Sequence, residues 1–175
     1  MAEYPADLVC RHCLRDGTTV TIRPIRPEDA ALERKFVGAL SGESRYFRFQ
    51  KWVAAPSDKL IHFLTDVDYD RHLALVCTRE GAAGEELIGE ARYVKSEDGG
   101  DCEFGIMIAD ARRKSGIAGL LMDALIRAAR ARGVTRMEGL VMRTNTAMLR
   151  VARALGFEVQ ALPGDATTLR IVKRH

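Results

Sequence analysis

The chain has 175 residues, of which 47% are hydrophobic and 29% charged, and its formal net charge at pH 7 is +3. This length and composition suit a single globular domain. The small excess of positive charge gives no argument for a nucleic-acid partner, and no run approaches the roughly eighteen apolar residues of a membrane span. The acidic start of the chain lacks the pattern of a secretory signal. We therefore expect a cytoplasmic protein with no nucleic-acid or membrane partner.

The N-terminal residues carry no clear structural signal. Residues 1–15 show no hydrophobic period, which predicts a poorly ordered arm ahead of one domain over residues 16–175. The arm contains a Cys-Arg-His-Cys segment at residues 10–13, but no second Cys/His pair completes a zinc site, so no metal site is predicted. Cys77 and Cys102 lie in apolar strand patterns, where a free thiol behaves as a small hydrophobic residue.

The first half of the domain predicts one strand and three helices. Residues 18–23 alternate with β-branched side chains and indicate a strand that ends at a proline. Acidic residues then open a helix, a short second helix is expected near residues 43–49, and a third over residues 57–65 has Ser57 as its N-cap. The inward-facing residues expected for the first and third helices are Ala31, Leu32, Phe36, Leu40, Leu60, Ile61 and Leu64.

Strands and helices alternate in the second half. Three strands over residues 72–78, 87–95 and 102–109 are separated by glycine-containing turns and predict a meander. A helix over residues 116–132 has one apolar face, which indicates that it packs on a sheet. A strand over residues 137–142 and another amphipathic helix follow. This mixture predicts an α+β fold, specifically an α/β sandwich.

A basic, glycine-containing loop joins the third strand of the meander to the next helix. Because a helix N-terminus offers unpaired N–H groups and the positive end of its dipole, it can hold a phosphate without a metal ion. The spacings of the Walker and dinucleotide loops do not occur, and a solvated turn would have a similar sequence. The candidate phosphate-binding residues are Arg113, Lys114, Ser115, Gly116, Ile117, Ala118 and Gly119.

The pattern Arg113-x-x-Gly116-x-Ala118 resembles the acyl-CoA signature of the GNAT superfamily of N-acetyltransferases. The order of the helices and strands that follow is also similar to that of GNAT proteins, with Asn145 at a helix start and Gly-Phe before the next strand. Residues 44–49 and 68–71 resemble segments of bacterial protein lysine acetyltransferase domains. The resemblance implies a mixed, mostly antiparallel sheet flanked by helices and splayed between its fourth and fifth strands. The gap would accept the pantetheine arm of acetyl-CoA, with CoA as the product.

Acetyl transfer to an amine calls for a base, because an alkyl ammonium has a reference pKa of about 10.4 and must lose a proton to attack. Glu103 is the first candidate, since several lysine acetyltransferases of the resembling family carry a catalytic Glu in this strand. Partial burial there would suit a base, whereas the alternative is an exposed residue on an alternating strand. Glu90, on the preceding strand, is the second candidate, and its alternative is a cross-strand ion pair with an arginine.

The resemblance also assigns cofactor-binding roles. Main-chain groups of Ile106, Met107 and Ile108 would pair with pantetheine, and one N–H would polarise the thioester carbonyl. Asn145 would either cap its helix or face the pantetheine arm. Ala152 stands where many GNAT enzymes carry the Tyr that protonates the leaving thiolate, and this departure leaves that acid unassigned.

The acceptor is expected to be recognised by residues 40–71. Asp66, Asp68 and Asp70 could attract a cationic amine, or they could form a solvated turn. Three functions remain open: acetylation of a protein lysine, as in an acyl-CoA synthetase; acetylation of a small amine; and non-catalytic sensing of acyl-CoA. The exposed edges of the sheet would also allow a homodimer.

Overall fold

The computed structural model of the chain describes residues 2–41 and 56–175. Within them, eight strands form one sheet in the order β1-β2-β3-β4-β5-β6-β8-β7. The strands are β1 Cys10–Cys13, β2 Thr19–Pro24, β3 His72–Gly81, β4 Gly84–Lys95, β5 Asp101–Ile108, β6 Arg136–Met142, β7 Glu158–Leu162 and β8 Asp165–Arg174. Four helices flank them in the described ranges: α1 Ala30–Ala39, α2 Asp58–Thr65, α3 Ile117–Ala131 and α4 Thr146–Ala154. The predicted α+β sandwich is confirmed, while the helix expected near residues 43–49 lies outside the described residues.

The N-terminal segment is more ordered than the sequence indicated. Residues Cys10–Cys13 pair antiparallel with β2 and form one edge of the sheet. The expectation of a poorly ordered arm is therefore wrong for this stretch, whose short and mostly exposed strand carries no apolar alternation. Both of its cysteines are free thiols at the surface.

The first helix turns a different face inward than expected. Phe36 and Leu40 are buried as predicted, but Ala31 is exposed and Glu33 is fully buried. The helix α2 follows the prediction, since the Ser57 hydroxyl accepts the N–H of Leu60 at 3.1 Å. Both helices cover one face of β3 and β4, where they close the smaller of two cores.

The larger core lies on the opposite face of the sheet, beneath α3 and α4. Ile117, Leu121 and Leu125 of α3 are fully buried there. A Cβ built on Gly89 of β4 would lie 3.1 Å from Leu121 and 3.2 Å from Ile117. The absence of a side chain at Gly89 therefore lets the first turn of α3 approach β4 closely.

The sheet splays between β5 and β6. These strands run parallel and pair at only three positions, of which Glu103 opposite Glu138 is the last. The other strand pairs are antiparallel. Beyond Glu138, β6 continues beside β8 as far as Met142 opposite Thr168. The expected splay is thus present, and the extra edge strand β1 makes the separating strands the fifth and sixth.

Candidate functional site

A cleft of about 800 Å³ opens where β5 and β6 separate. Its walls are the outer parts of these two strands, the loop before α3 and the first turns of α3 and α4. Ile106, Ile108 and Val151 contribute apolar surface to it. This volume is within the range of cofactor sites in proteins, about 300–1,000 Å³.

Within residues 2–41 and 56–175, the edge of β5 that faces the cleft has no strand partner beyond Glu103. The N–H of Ala109 donates to the carbonyl of Ile88, which fixes the alternation of hydrogen bonds between β4 and β5. Main-chain groups of Met107 therefore point towards Glu90 of β4, whereas those of Ile106 and Ile108 point into the cleft. Of the three residues expected to pair with pantetheine, Ile106 and Ile108 therefore face the cleft with their main-chain groups, whereas Met107 does not. The reason is that alternate residues of a strand direct their N–H and C=O groups to opposite sides of the strand.

The other end of the cleft is formed by residues 113–119, which we call the cradle. Gly116, the N-cap of α3, has φ of +90°, and Lys114 has φ of +64°. The first helical hydrogen bond of α3 runs from the N–H of Leu120 to the carbonyl of Gly116. The N–H groups of Ile117, Ala118 and Gly119 precede that bond and are free of helical partners. All seven candidate residues of the cradle line the cleft.

Asp110, which lies just before the cradle, holds its position. Asp110 accepts the N–H of Ser41 at 2.7 Å, which ties the end of α1 to the loop before α3. Arg113, exposed at the mouth, lies 3.3 Å from the same carboxylate. The Ser115 hydroxyl donates to the carbonyl of Arg112. The loop is therefore fixed by its own side chains, and its residues 112–119 line the cleft.

Glu103 stands where the pairing of β5 and β6 ends, and it lines the cleft. It is exposed, so the partial burial expected for a base is not present in the described residues. Its neighbour across the register is Glu138 of β6, which also lines the cleft. The sequence reasoning missed Glu138, because only strand pairing brings it beside Glu103.

Glu90 has a different environment. It is 1% exposed and does not line the cleft. Arg92, two residues further along the same strand, donates to its carboxylate at 2.8 and 3.0 Å. The expected alternative, an ion pair with an arginine, is therefore found, but the arginine lies on the same strand and not across from it. This geometry favours Glu103 over Glu90 for contact with a substrate.

A second carboxyl group faces Glu90 from α1. Glu33 is fully buried, and neither of its carboxylate oxygens has a hydrogen-bond partner within the described residues. Burial raises the pKa of Glu33 well above its usual range, and the charge of Glu90 raises it further. The charge of Arg92 lowers the pKa of Glu33 and the charge of Asp29 raises it, and each effect is smaller than that of burial. The buried site therefore favours the neutral form of Glu33.

A family model described as an acetyltransferase (GNAT) domain matches residues 19–158. The chain belongs to the GNAT acetyltransferase family. It is similar to acetyltransferase PA5475 of Pseudomonas aeruginosa, with 36% identity over 154 residues that cover 88% of this chain and 83% of the relative. It is also similar to acetyltransferase Pat of Mycolicibacterium smegmatis, with 36% identity over 146 residues. That match covers 82% of this chain and 42% of Pat, so the chain spans less than half of Pat.

Comparison of the fold with solved structures indicates the same family. The GNAT domain of S. lividans PAT superposes with a TM-score of 0.89 and 29% identity, over 99% of this chain and all of that domain. GNAT enzymes take their acetyl group from acetyl-CoA, so this protein is an acetyl-CoA-dependent N-acetyltransferase. The geometry of the cleft fits that cofactor: free N–H groups and two positive φ angles at the cradle, then an apolar channel along the open edge of β5.

Two further GNAT positions have defined surroundings. The side-chain oxygen of Asn145 accepts the N–H of Met148 at 3.3 Å, so it caps α4, and Asn145 also lines the cleft. Ala152 is fully buried in the larger core and is absent from the cleft lining. Of the tyrosines in residues 2–41 and 56–175, none lines the cleft. Tyr69 and Tyr93 instead donate to the carbonyls of Ile25 and Asp70.

The acidic segment before β3 forms a turn. Asp68 accepts the N–H groups of Asp70 and His72 at 3.0 and 2.9 Å, and Asp70 pairs with Lys95 at 2.7 Å. None of the three aspartates of this segment lines the cleft. The turn interpretation is therefore the one that the geometry supports. The part of the chain that the structure describes has no helix with the length and apolar character needed to cross a membrane.

Proposed function

We propose that this GNAT enzyme transfers the acetyl group of acetyl-CoA to the side-chain amine of a protein lysine in the cytoplasm. The observation that carries the proposal is the position of Glu103 at one end of a single cleft whose other end is the cradle. A cofactor that spans the cleft would have its diphosphate at α3 and its acyl end near a carboxylate. The free sheet edges β1 and β7 would be the surfaces for a homodimer.

The cofactor would be held mainly by the main chain. The N–H groups of Ile117, Ala118 and Gly119 would donate to its diphosphate, with Arg113 and Lys114 adding positive charge. Main-chain groups of Ile106 and Ile108 would pair with the pantetheine arm as an added strand does. Asn145 would keep its capping bond and face the same arm.

The chemistry requires a neutral amine and a polarised carbonyl. Bound acetyl-CoA supplies the activated acetyl group as a thioester. Glu103 would accept a proton from the acceptor ammonium, directly or through one water molecule, so that the nitrogen lone pair can attack. An N–H of β5 that points into the cleft would donate to the carbonyl oxygen as negative charge develops there.

Two similarities favour a protein lysine as the acceptor. Residues 44–49 and 68–71 resemble bacterial protein lysine acetyltransferase domains, and the chain is similar to Pat over 146 residues. The alternatives from the sequence, a small-amine acetyltransferase and a non-catalytic acyl-CoA sensor, share the same cofactor cleft and differ only in the acceptor.

The test is release of CoA thiol from acetyl-CoA in the presence of a bacterial acyl-CoA synthetase or a panel of small amines. We expect acetyl transfer to a lysine of the synthetase, and a rate about 100-fold lower for Glu103→Gln, as for loss of a general base. Affinity for acetyl-CoA should stay within two-fold in that variant, by calorimetry. The matched control is Glu158→Gln, which changes an exposed carboxylate of β7 that does not line the cleft.

Each alternative has its own outcome. If only the small amines are acetylated, the acceptor is a small molecule and not a protein lysine. Saturable cofactor binding without transfer to any acceptor would contradict the enzyme function and favour a sensor. A normal rate in Glu103→Gln would remove this residue from the mechanism.

A further inference from the structure

The last paired residues of β5 and β6 bring two carboxylates together. Glu103 and Glu138 are register partners in a parallel pair, so their side chains project from the same face of the sheet. Neighbouring strands lie about 4.8 Å apart, so the two side chains leave the sheet side by side. Both line the cleft, at the point where the strands begin to separate.

The two carboxylates have different partners. Arg136 lies 2.8 Å and Arg170 3.7 Å from the same oxygen of Glu138, Oε2. These contacts hold the carboxylate in one orientation and leave Oε1 for a further donor. Among residues 2–41 and 56–175, no ion pair involves Glu103. Two arginines thus position the Glu138 carboxylate, whereas no cationic side chain of the described residues pairs with Glu103.

Apolar side chains line the cleft that holds this pair. Leu140 lies two residues beyond Glu138 on the same strand face, and it is 50% exposed, which is unusual for leucine. Leu40 from the end of α1 and Leu162 from β7 also line the cleft. An acceptor with an apolar stem and a terminal ammonium group fits such a surface, because each part meets a matching environment.

We infer that Glu138 is a positioning residue that binds the ammonium group of an incoming lysine side chain and presents it to Glu103. The inference rests on the proposed function and adds the residue that selects the acceptor. Glu138 Oε1 would accept a hydrogen bond from the amine before and after Glu103 takes its proton, and Leu140 would pack on the methylene stem. Removal of the charge at Glu138 should weaken acceptor binding more than it slows the chemical step.

The first test measures binding without turnover. The probe is a conjugate in which the CoA sulfur is joined by an ethylene linker to the Nε of Nα-acetyl-lysine methylamide, so that a charged secondary amine lies where the acceptor would. Calorimetry compares its affinity with that of CoA. We expect the conjugate to bind the unchanged protein at least about ten-fold more tightly than CoA, as for a charge-assisted hydrogen bond. In Glu138→Gln most of this gain, which is the affinity of the conjugate relative to that of CoA, should disappear, while affinity for CoA itself stays the same.

Glu158→Gln is the matched control. Glu138 and Glu158 both face Val172 of β8, one from each side, and Glu158 also pairs with an arginine, Arg174, at 3.5 Å. Glu158 does not line the cleft, so its variant should keep the whole gain. An equal gain in Glu138→Gln and the unchanged protein would overturn the inference. So would a conjugate that binds the unchanged protein no better than CoA.

The second test is the split between KM and kcat for Nα-acetyl-lysine methylamide. Glu138→Gln should raise the acceptor KM about ten-fold and leave kcat and the KM for acetyl-CoA within two-fold, whereas Glu103→Gln should lower kcat. A fall in kcat alone would assign Glu138 to the chemical step and contradict its positioning role. If no amine is acetylated but the conjugate keeps its Glu138-dependent gain in affinity, the proposed function fails and Glu138 is left as an amine-binding residue without a role in transfer.

Discussion

At the scale of single residues, Glu33 has an unusual environment for a carboxyl group. A carboxyl group buried without a hydrogen-bond partner is normally costly, and the cost is smaller when the group is neutral. Glu33 faces Glu90, whose charge is already matched by Arg92. Burial and the neighbouring charge of Glu90 both favour the protonated form of Glu33 where α1 packs on β4.

This arrangement predicts a dependence of stability on pH. Because burial raises the pKa of Glu33 in the folded state, the unfolded state loses this proton first as the pH rises. Stability should fall as the pH rises above about 4.3, the ordinary pKa of a glutamate, towards the higher folded value. Glu33→Gln keeps a neutral hydrogen-bond donor and does not ionise. We expect it to match the unchanged protein near pH 4 and to be more stable by roughly 1–2 kcal/mol at pH 8.

The measurement is urea unfolding at a series of pH values. Glu97→Gln, in the exposed turn after β4, serves as control and should change the free energy of unfolding by less than about 0.5 kcal/mol at each pH. A constant difference between Glu33→Gln and the unchanged protein from pH 4 to pH 8 would contradict the neutral, buried carboxyl group.

At the scale of elements, the cofactor site depends on β5 and on the start of α3. Local patterns predicted both: alternation and glycine turns for the strand, and the apolar face for the helix. The sequence could not predict that Ile106 and Ile108 face the cleft with their main-chain groups while Met107 faces β4. This difference depends on which residues of β4 and β5 exchange hydrogen bonds. Glu138 was missed for the same reason, since its neighbour lies 35 residues earlier in the chain.

Substitutions at two helical glycines can distinguish the effect of a glycine on stability from its effect on cofactor binding. Outside the adjacent residues and the backbone of its own helix, a Cβ built on Gly119 of α3 or on Gly38 of α1 meets no atom of the described residues within 4 Å. Alanine at either position should stabilise the fold by roughly 0.5–1 kcal/mol, because glycine loses more chain entropy in a helix. Only Gly119 lies in the cradle, where a methyl group would obstruct the approach of a diphosphate to the backbone.

We therefore expect Gly119→Ala to unfold at a higher temperature and yet bind acetyl-CoA about ten-fold more weakly, while Gly38→Ala gains stability without a change in affinity. Thermal unfolding and calorimetry on the two variants measure the two effects. If Gly119→Ala gains stability and keeps full affinity, the first turn of α3 does not hold the diphosphate.

At the scale of the whole molecule, the sheet has two differently covered faces and a single point of separation. The mixture of strands and helices predicted the sandwich, and the resemblance to GNAT enzymes supplied the splay. Neither hydrophobic period nor composition could give it, because a splay exists only in the pairing of distant strands. The edge strand β1 escaped prediction because its four residues are too short and too exposed to show a pattern.

One cleft joins the cradle at α3 to the carboxylate of Glu103. A crystal structure of the protein with bound acetyl-CoA would show whether the cofactor occupies it from end to end. We expect the diphosphate to accept hydrogen bonds from N–H groups of residues 114–119, the pantetheine arm to pair with Ile106 and Ile108, and the acetyl group to point towards Glu103. A cofactor bound outside the space between β5 and β6, or with its acetyl end away from Glu103, would contradict the account.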